Sequence, residues 1–114
     1  MKKTKSDVFA ALLYCADRDF RDCSDIYDTV ARAKEQHPEL FSDFVFASQT
    51  LRPYSPQVDE CISILGVSGI IGYRFAVGED GVYLTKRGKK YIEDEILHLF
   101  KGNEIDKLKE CAVN

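Results

Sequence analysis

From Ser55 to Leu97 the chain reads SPQVDECISILGVSGIIGYRFAVGEDGVYLTKRGKKYIEDEIL, and no other stretch restricts the fold so much. Ser55 can accept an orphan backbone N–H as an N-cap, and Pro56 suits the first helical position, where its missing donor is harmless. Val58, Cys61, Ile62 and Leu65 then fall on one stripe at 3.6-residue spacing, and Gly69 stands where a left-handed cap would end a helix near Ser68. A positive φ is expected at Gly69. Ile71, Tyr73 and Phe75 alternate with Gly72 and Arg74, and beyond Gly78-Glu79-Asp80-Gly81 comes a second β-prone run, Val82-Tyr83-Leu84, which predicts a hairpin. Thr85 can cap a closing helix in which Tyr91, Ile92, Ile96, Leu99 and Phe100 share a face. Together these signals predict a mostly α fold with a small β-hairpin, in the α+β class.

The run Leu65-x-x-x-Gly69-Ile70-Ile71, the hairpin, and Leu84-Thr85-x-x-Gly88-Lys89 together resemble the second half of a winged-helix domain: third helix, wing, and the approach to a C-terminal helix. The segment Pro53-Tyr54-Ser55-Pro56-x-Val58 is similar to the approach to that helix in Panacea antitoxin domains. The first resemblance implies a winged helix with an additional C-terminal helix, an architecture that serves DNA reading, dimerisation and protein docking alike. The second implies an antitoxin-like or regulatory role. On this reading residues 1–114 form one domain, with 1–50 as helical support and 55–100 as third helix, wing and C-terminal helix.

Upstream, Thr4 and Asp7 offer an imperfect capping box before a buried helix with Val8, Phe9, Leu12, Leu13 and Ala16 on its stripe. The aspartate-rich residues 17–28 lead into a second helix, capped by Ser24 or Asp25, with Ile26, Val30 and Ala33 inward. His37-Pro38 ends that helix, and Pro38 is expected to open another carrying Phe41, Phe44, Val45 and Ser48 on one side. Gly102 is expected to close the long helix, and Asn103 to cap a short last one bearing Ile105, Leu108 and Ala112.

At 114 residues and 45% apolar, the chain can bury one sizeable core without disulfides or metal. No apolar run is long enough to cross a bilayer, and the basic residues of Met1–Ser6 lead into Asp7 rather than an apolar segment, so a cytoplasmic protein is expected, without membrane contact. The four cysteines are widely separated and read as reduced. The aspartates lack the glycine turn of a calcium loop, and no cysteine and histidine pairs have zinc spacing. Gly66, Gly69 and Gly72 lack the lysine of a phosphate loop. Neither a metal, a cofactor, a small-molecule substrate nor an enzymatic activity is expected.

Electrostatics divides the remaining classes. A DNA-reading third helix draws its affinity from lysine and arginine, yet the outer face here carries Pro56, Asp59, Glu60 and Ser63, in a chain of net charge -3 with a pI near 5.4. A protein partner or self-association is therefore favoured. The alternative is a DNA-binding transcriptional regulator that uses the wing and the basic residues Lys86, Arg87, Lys89 and Lys90, joined by Arg74, with Lys2, Lys3 and Lys5 nearby. Those four cations open a helix, where they oppose the macrodipole, so stability alone does not account for them. Four aromatic residues, Phe41, Phe44, Phe46 and Tyr54, exceed what the core needs and are expected to supply a protein-docking patch.

Overall fold

A computed structural model describes residues 3–47, 51–74 and 81–113. Helix α1 spans Lys5–Ala16 and opens on a complete capping box: the Asp7 N–H donates to Thr4 Oγ1 at 3.2 Å, and the Thr4 N–H donates to Asp7 Oδ2 at 2.9 Å. Every residue from Val8 to Leu13 is buried, so α1 is enclosed on all sides rather than along one stripe. It packs against α5 (Gly102–Val113), α3 (Pro56–Val67) and a π turn over Ile92–Ile96. Far from supporting a distant centre, the N-terminal half supplies the middle of the core.

Helix α2 spans Cys23–Gln36 and buries Ile26, Val30 and Ala33 as expected, but its cap is neither Ser24 nor Asp25. Asp22 Oδ1 accepts the Asp25 N–H at 2.9 Å, which leaves the Asp25 side chain to turn inward. There it pairs with Arg18 at 3.0 Å and accepts the Arg21 N–H at 3.1 Å. The expected helix from Pro38 is absent; residues 38–43 form turns instead. Leu40 and Phe44 each donate an isolated i to i−3 bond, and the following backbone groups bond to distant segments: Phe44 C=O to Lys34 Nζ, Val45 N–H to Gln57, and Ala47 N–H to Tyr54 C=O. Tertiary partners thus replace the helical ladder.

Ser55 sits at the N-cap of α3, but its hydroxyl donates to Gln57 Oε1 at 3.0 Å and makes no cap hydrogen bond to the first turn of the helix. Val58, Cys61, Ile62 and Leu65 are buried as the spacing predicts. The helix ends in a Schellman motif. Gly69, with φ 77°, donates to Gly66 C=O at 3.1 Å, and Ile70 donates to Leu65 C=O at 2.9 Å. Strand β1 (Ile71–Arg74) pairs antiparallel with β2 (Gly81–Leu84), Ile71 opposite Leu84. Phe20 extends this sheet by exchanging two 2.8 Å backbone bonds with Val82. Lys2, Ser48, Phe75 and the turn residues Gly78, Glu79 and Asp80 lie outside the described residues.

Thr85 caps α4 (Lys86–Tyr91), accepting the Gly88 N–H at 2.9 Å. The helix widens into a π turn over Ile92–Ile96 and tightens into a 3-10 turn over Leu97–Leu99. Ile92, Ile96 and Phe100 reach the core, but Tyr91 is 46% exposed, because at about 100° per residue it stands off the stripe that Ile92 and Ile96 share. Phe100 is extended, and α5 begins at Gly102. The Lys101 C=O accepts the Glu104 N–H, and Glu104 Oε1 accepts the Lys101 N–H, so Lys101 rather than Asn103 stands at the cap of the last helix. That helix is as long as α1 and buries Leu108 and Cys111. The result is an α+β fold: mostly helical, with one small antiparallel hairpin. Among the described residues no helix is long and apolar enough to cross a membrane.

Candidate interaction surface

With its stripe turned toward α1, helix α3 leaves one face outward. At its start both carboxylates are engaged: the Tyr27 and Tyr54 hydroxyls donate to Asp59, the latter at 2.8 Å, and Glu60 pairs with Lys5 at 2.9 Å. The Tyr27 and Tyr54 rings lie 5.5 Å apart. Toward its end the face becomes aliphatic, with Ile64 45% and Val67 91% exposed. Beside it opens a shallow cleft of about 240 Å³ lined by Ser68, Ile70, Arg87 and Tyr91. Ile64 and Val67 were not among the residues expected at a site. The available signal was that both fall off the buried stripe while one helix can bury only one face.

The basic residues do not gather on one face. Arg74 is held by Asp19 at 2.7 Å and stacks on the Tyr83 ring at 4.6 Å, away from the others. Gly88 faces the chain at Ile70, which fixes the rotation of α4 and sends its cations three ways. Arg87 lies against the Gly69 turn, where the negative end of the α3 dipole favours a cation. Lys89 lines a separate cavity of about 280 Å³ with Tyr14, Glu93 and Lys109, and Lys86 and Lys90 face solvent. Among the described residues Lys86, Arg87, Lys89 and Lys90 have no ion-pair partner. In the Lys89 cavity, Tyr14 donates to Glu93 at 2.6 Å, a bond that pushes the phenol up to about 12.

The four expected docking aromatics separate. Phe41 and Phe44 are fully buried, with ring centroids 6.1 Å apart and Phe44 6.4 Å from Phe9, because the turns at 38–43 aim both inward. They are core residues and cannot form a docking patch. Phe46 is half-buried and lines a groove of about 460 Å³ with Ala31, Pro38 and Val45, whereas Tyr54 belongs to the Asp59 cluster and is 39% exposed.

Burial raises the thiol pKa of Cys15, Cys61 and Cys111, the last to about 11, and partial desolvation with the nearby carboxylates of Asp59 and Asp22 raises that of the exposed Cys23. Among the described residues no three His, Cys, Asp or Glu side chains are grouped to hold a metal ion. Compared with family models, with curated proteins and with solved structures, the chain matches none.

Proposed function

We propose that this is a non-enzymatic winged-helix module that acts by binding another protein, in a regulatory or antitoxin-like role. The order helix, single bridge at Phe20, helix, helix, hairpin, helix supports the winged-helix reading, since the bridge joins the segment between the first two helices to the second hairpin strand. The long connection over residues 37–55 departs from the short turn of a helix-turn-helix. The observation that carries the function is the outer face of α3. It bears no cation, its carboxylates are engaged, and its far half is aliphatic, which suits a protein surface and opposes a phosphate backbone. The raised thiol pKa values support leaving cysteine chemistry out of the activity.

The cations of α4, which have no ion-pair partner among the described residues, favour the second reading, a DNA-binding regulator, although Arg74 is engaged by Asp19. Fluorescence anisotropy of random and selected duplexes across a salt gradient separates the two. We expect no binding near physiological salt. Submicromolar, sequence-dependent binding there would favour the regulator. Lys86→Gln with Lys90→Gln would then flatten the slope of log affinity against log salt by about two units.

A further inference from the structure

The cavity of about 280 Å³ beside Lys89 is lined by Tyr14, Cys15, Asp17, Lys89, Glu93 and Lys109, side chains that α1, α4, the π turn and α5 bring together. Local stability accounts poorly for two of its features. Asp17 ends α1 with φ 48°, alone in the left-handed region among the described non-glycine residues, and it sets a carboxylate at the negative end of that helix. Glycine there would relieve both strains. Glu93 stands on the π turn, a departure from the α ladder that recurs at functional sites. Residues held against local preference gather where a site requires them.

The charges are the third feature. Two lysines and two carboxylates line this one small space, yet among the described residues none of the four has an ion-pair partner. Both carboxylates lie near the Tyr14 hydroxyl: it donates to Glu93 at 2.6 Å, which pushes its pKa up, and the charge of Asp17 adds to the effect. Burial raises the Cys15 thiol pKa, and Lys109 lies near enough to oppose that. Opposite charges that border one cavity without meeting each other suit an occupant that carries both signs.

We infer that this cavity binds a small zwitterion of the amino-acid class, its ammonium group toward Asp17 and Glu93 and its carboxylate toward Lys89 and Lys109. A simple anion is opposed by the two carboxylates and a simple cation by the two lysines, so each meets half of the lining unfavourably. The volume falls just below the range of drug-sized clefts, which begins at roughly 300 Å³, and suits a molecule of few atoms.

The test is a titration of the isotope-labelled full chain with each of the common free amino acids, followed by NMR, with sodium acetate and ethylammonium chloride as single-charge comparisons. At least one amino acid should shift the amides of residues 14, 15, 17, 89, 93 and 109 at millimolar concentration. The same compound should slow alkylation of Cys15 by iodoacetamide without slowing that of the exposed Cys23. Lys109→Gln should weaken the binding about fivefold with melting unchanged. Asp17→Gly should weaken it about tenfold while raising the melting temperature, a combination that a merely structural role for Asp17 does not produce. Shifts by acetate or ethylammonium as strong as those by the best amino acid would overturn the zwitterion in favour of a simple ion. No shifts at millimolar amino acid, shifts confined to another face, or unchanged affinity in Asp17→Gly would overturn the site itself. In each of these cases the protein-binding reading would stand.

Discussion

A Cβ built on Gly88 would lie 2.1 Å from the carbonyl oxygen of Ile70, so at this point the start of α4 and the end of the α3 turn touch backbone to backbone. Gly69 is constrained differently: a Cβ there meets nothing closer than 3.5 Å, but φ is 77°. The two substitutions to alanine should therefore differ. Gly88→Ala must push the two backbone segments apart and should lower stability by about 3 kcal/mol. Gly69→Ala only forces a side chain into the left-handed region, at about 1 kcal/mol, and Gly69→Asn should be milder still. Denaturant melts would check the order, and equal losses would show that α4 can shift away from Ile70. Asp25 makes the other residue-scale case. Burial pushes its carboxyl pKa up, but hydrogen bonds from the Arg18 side chain and the Arg21 N–H, with both positive charges, outweigh that and hold it below the ordinary value. A depressed pKa means stability fully present above the ordinary carboxylate range, near pH 4, and lost as the pH falls through the lowered value. Its side chain is 9% exposed and that of Arg18 40%, so the pair is only partly shielded, and Asp25→Asn should cost about 2 kcal/mol at neutral pH. The variant should also lose some of the acid sensitivity of the parent, and stability curves of equal shape from pH 2 to 7 would refute the coupling.

Among the elements, α4 depends most on its junction. The Thr85 hydroxyl accepts the Gly88 N–H, donates to Gly69 C=O at 2.7 Å, and lies 3.2 Å from Ile70 C=O. One side chain thus caps α4 and ties it to the end of α3, which gives the Thr-x-x-Gly spacing its physical meaning. Thr85→Ala should lower the melting temperature by an amount equivalent to about 2 kcal/mol, one cap plus one buried hydrogen bond, and Thr85→Ser should restore most of it. An unchanged alanine variant would mean that α4 is held by packing alone. The continuation of α4 is where the expected shared face fails. Counting by 3.6 already sets Tyr91 off the stripe of Ile92 and Ile96, which explains its exposure, and the Leu97 N–H then bonds to Ile92 C=O across a wider turn before Phe100 returns to the core.

Across the whole molecule, α1 is the helix most completely enclosed, with α3, α5 and the π turn packed around it. Its amides from Val8 to Leu13 should accordingly exchange with solvent only on global unfolding, more slowly than those of β1 and β2, and hydrogen exchange followed by NMR would check this. Faster exchange in α1 than in the hairpin would place the stable unit elsewhere. The sequence by itself determined the features decided within about one helical turn: the capping box at Thr4, the stripe of α3, the left-handed Gly69, the paired strands, the cap at Thr85. Each depends on steric limits and hydrogen bonds among neighbouring residues, which local spelling specifies. Only the tertiary structure decided that Phe41 and Phe44 would be core, that Phe20 would join the hairpin, that Asp19 would draw Arg74 away, and that Gly88 would divide the basic residues among different faces. Those outcomes turn on partners far apart in the chain, whose meeting is governed by how the helices pack around α1 rather than by the residues beside them.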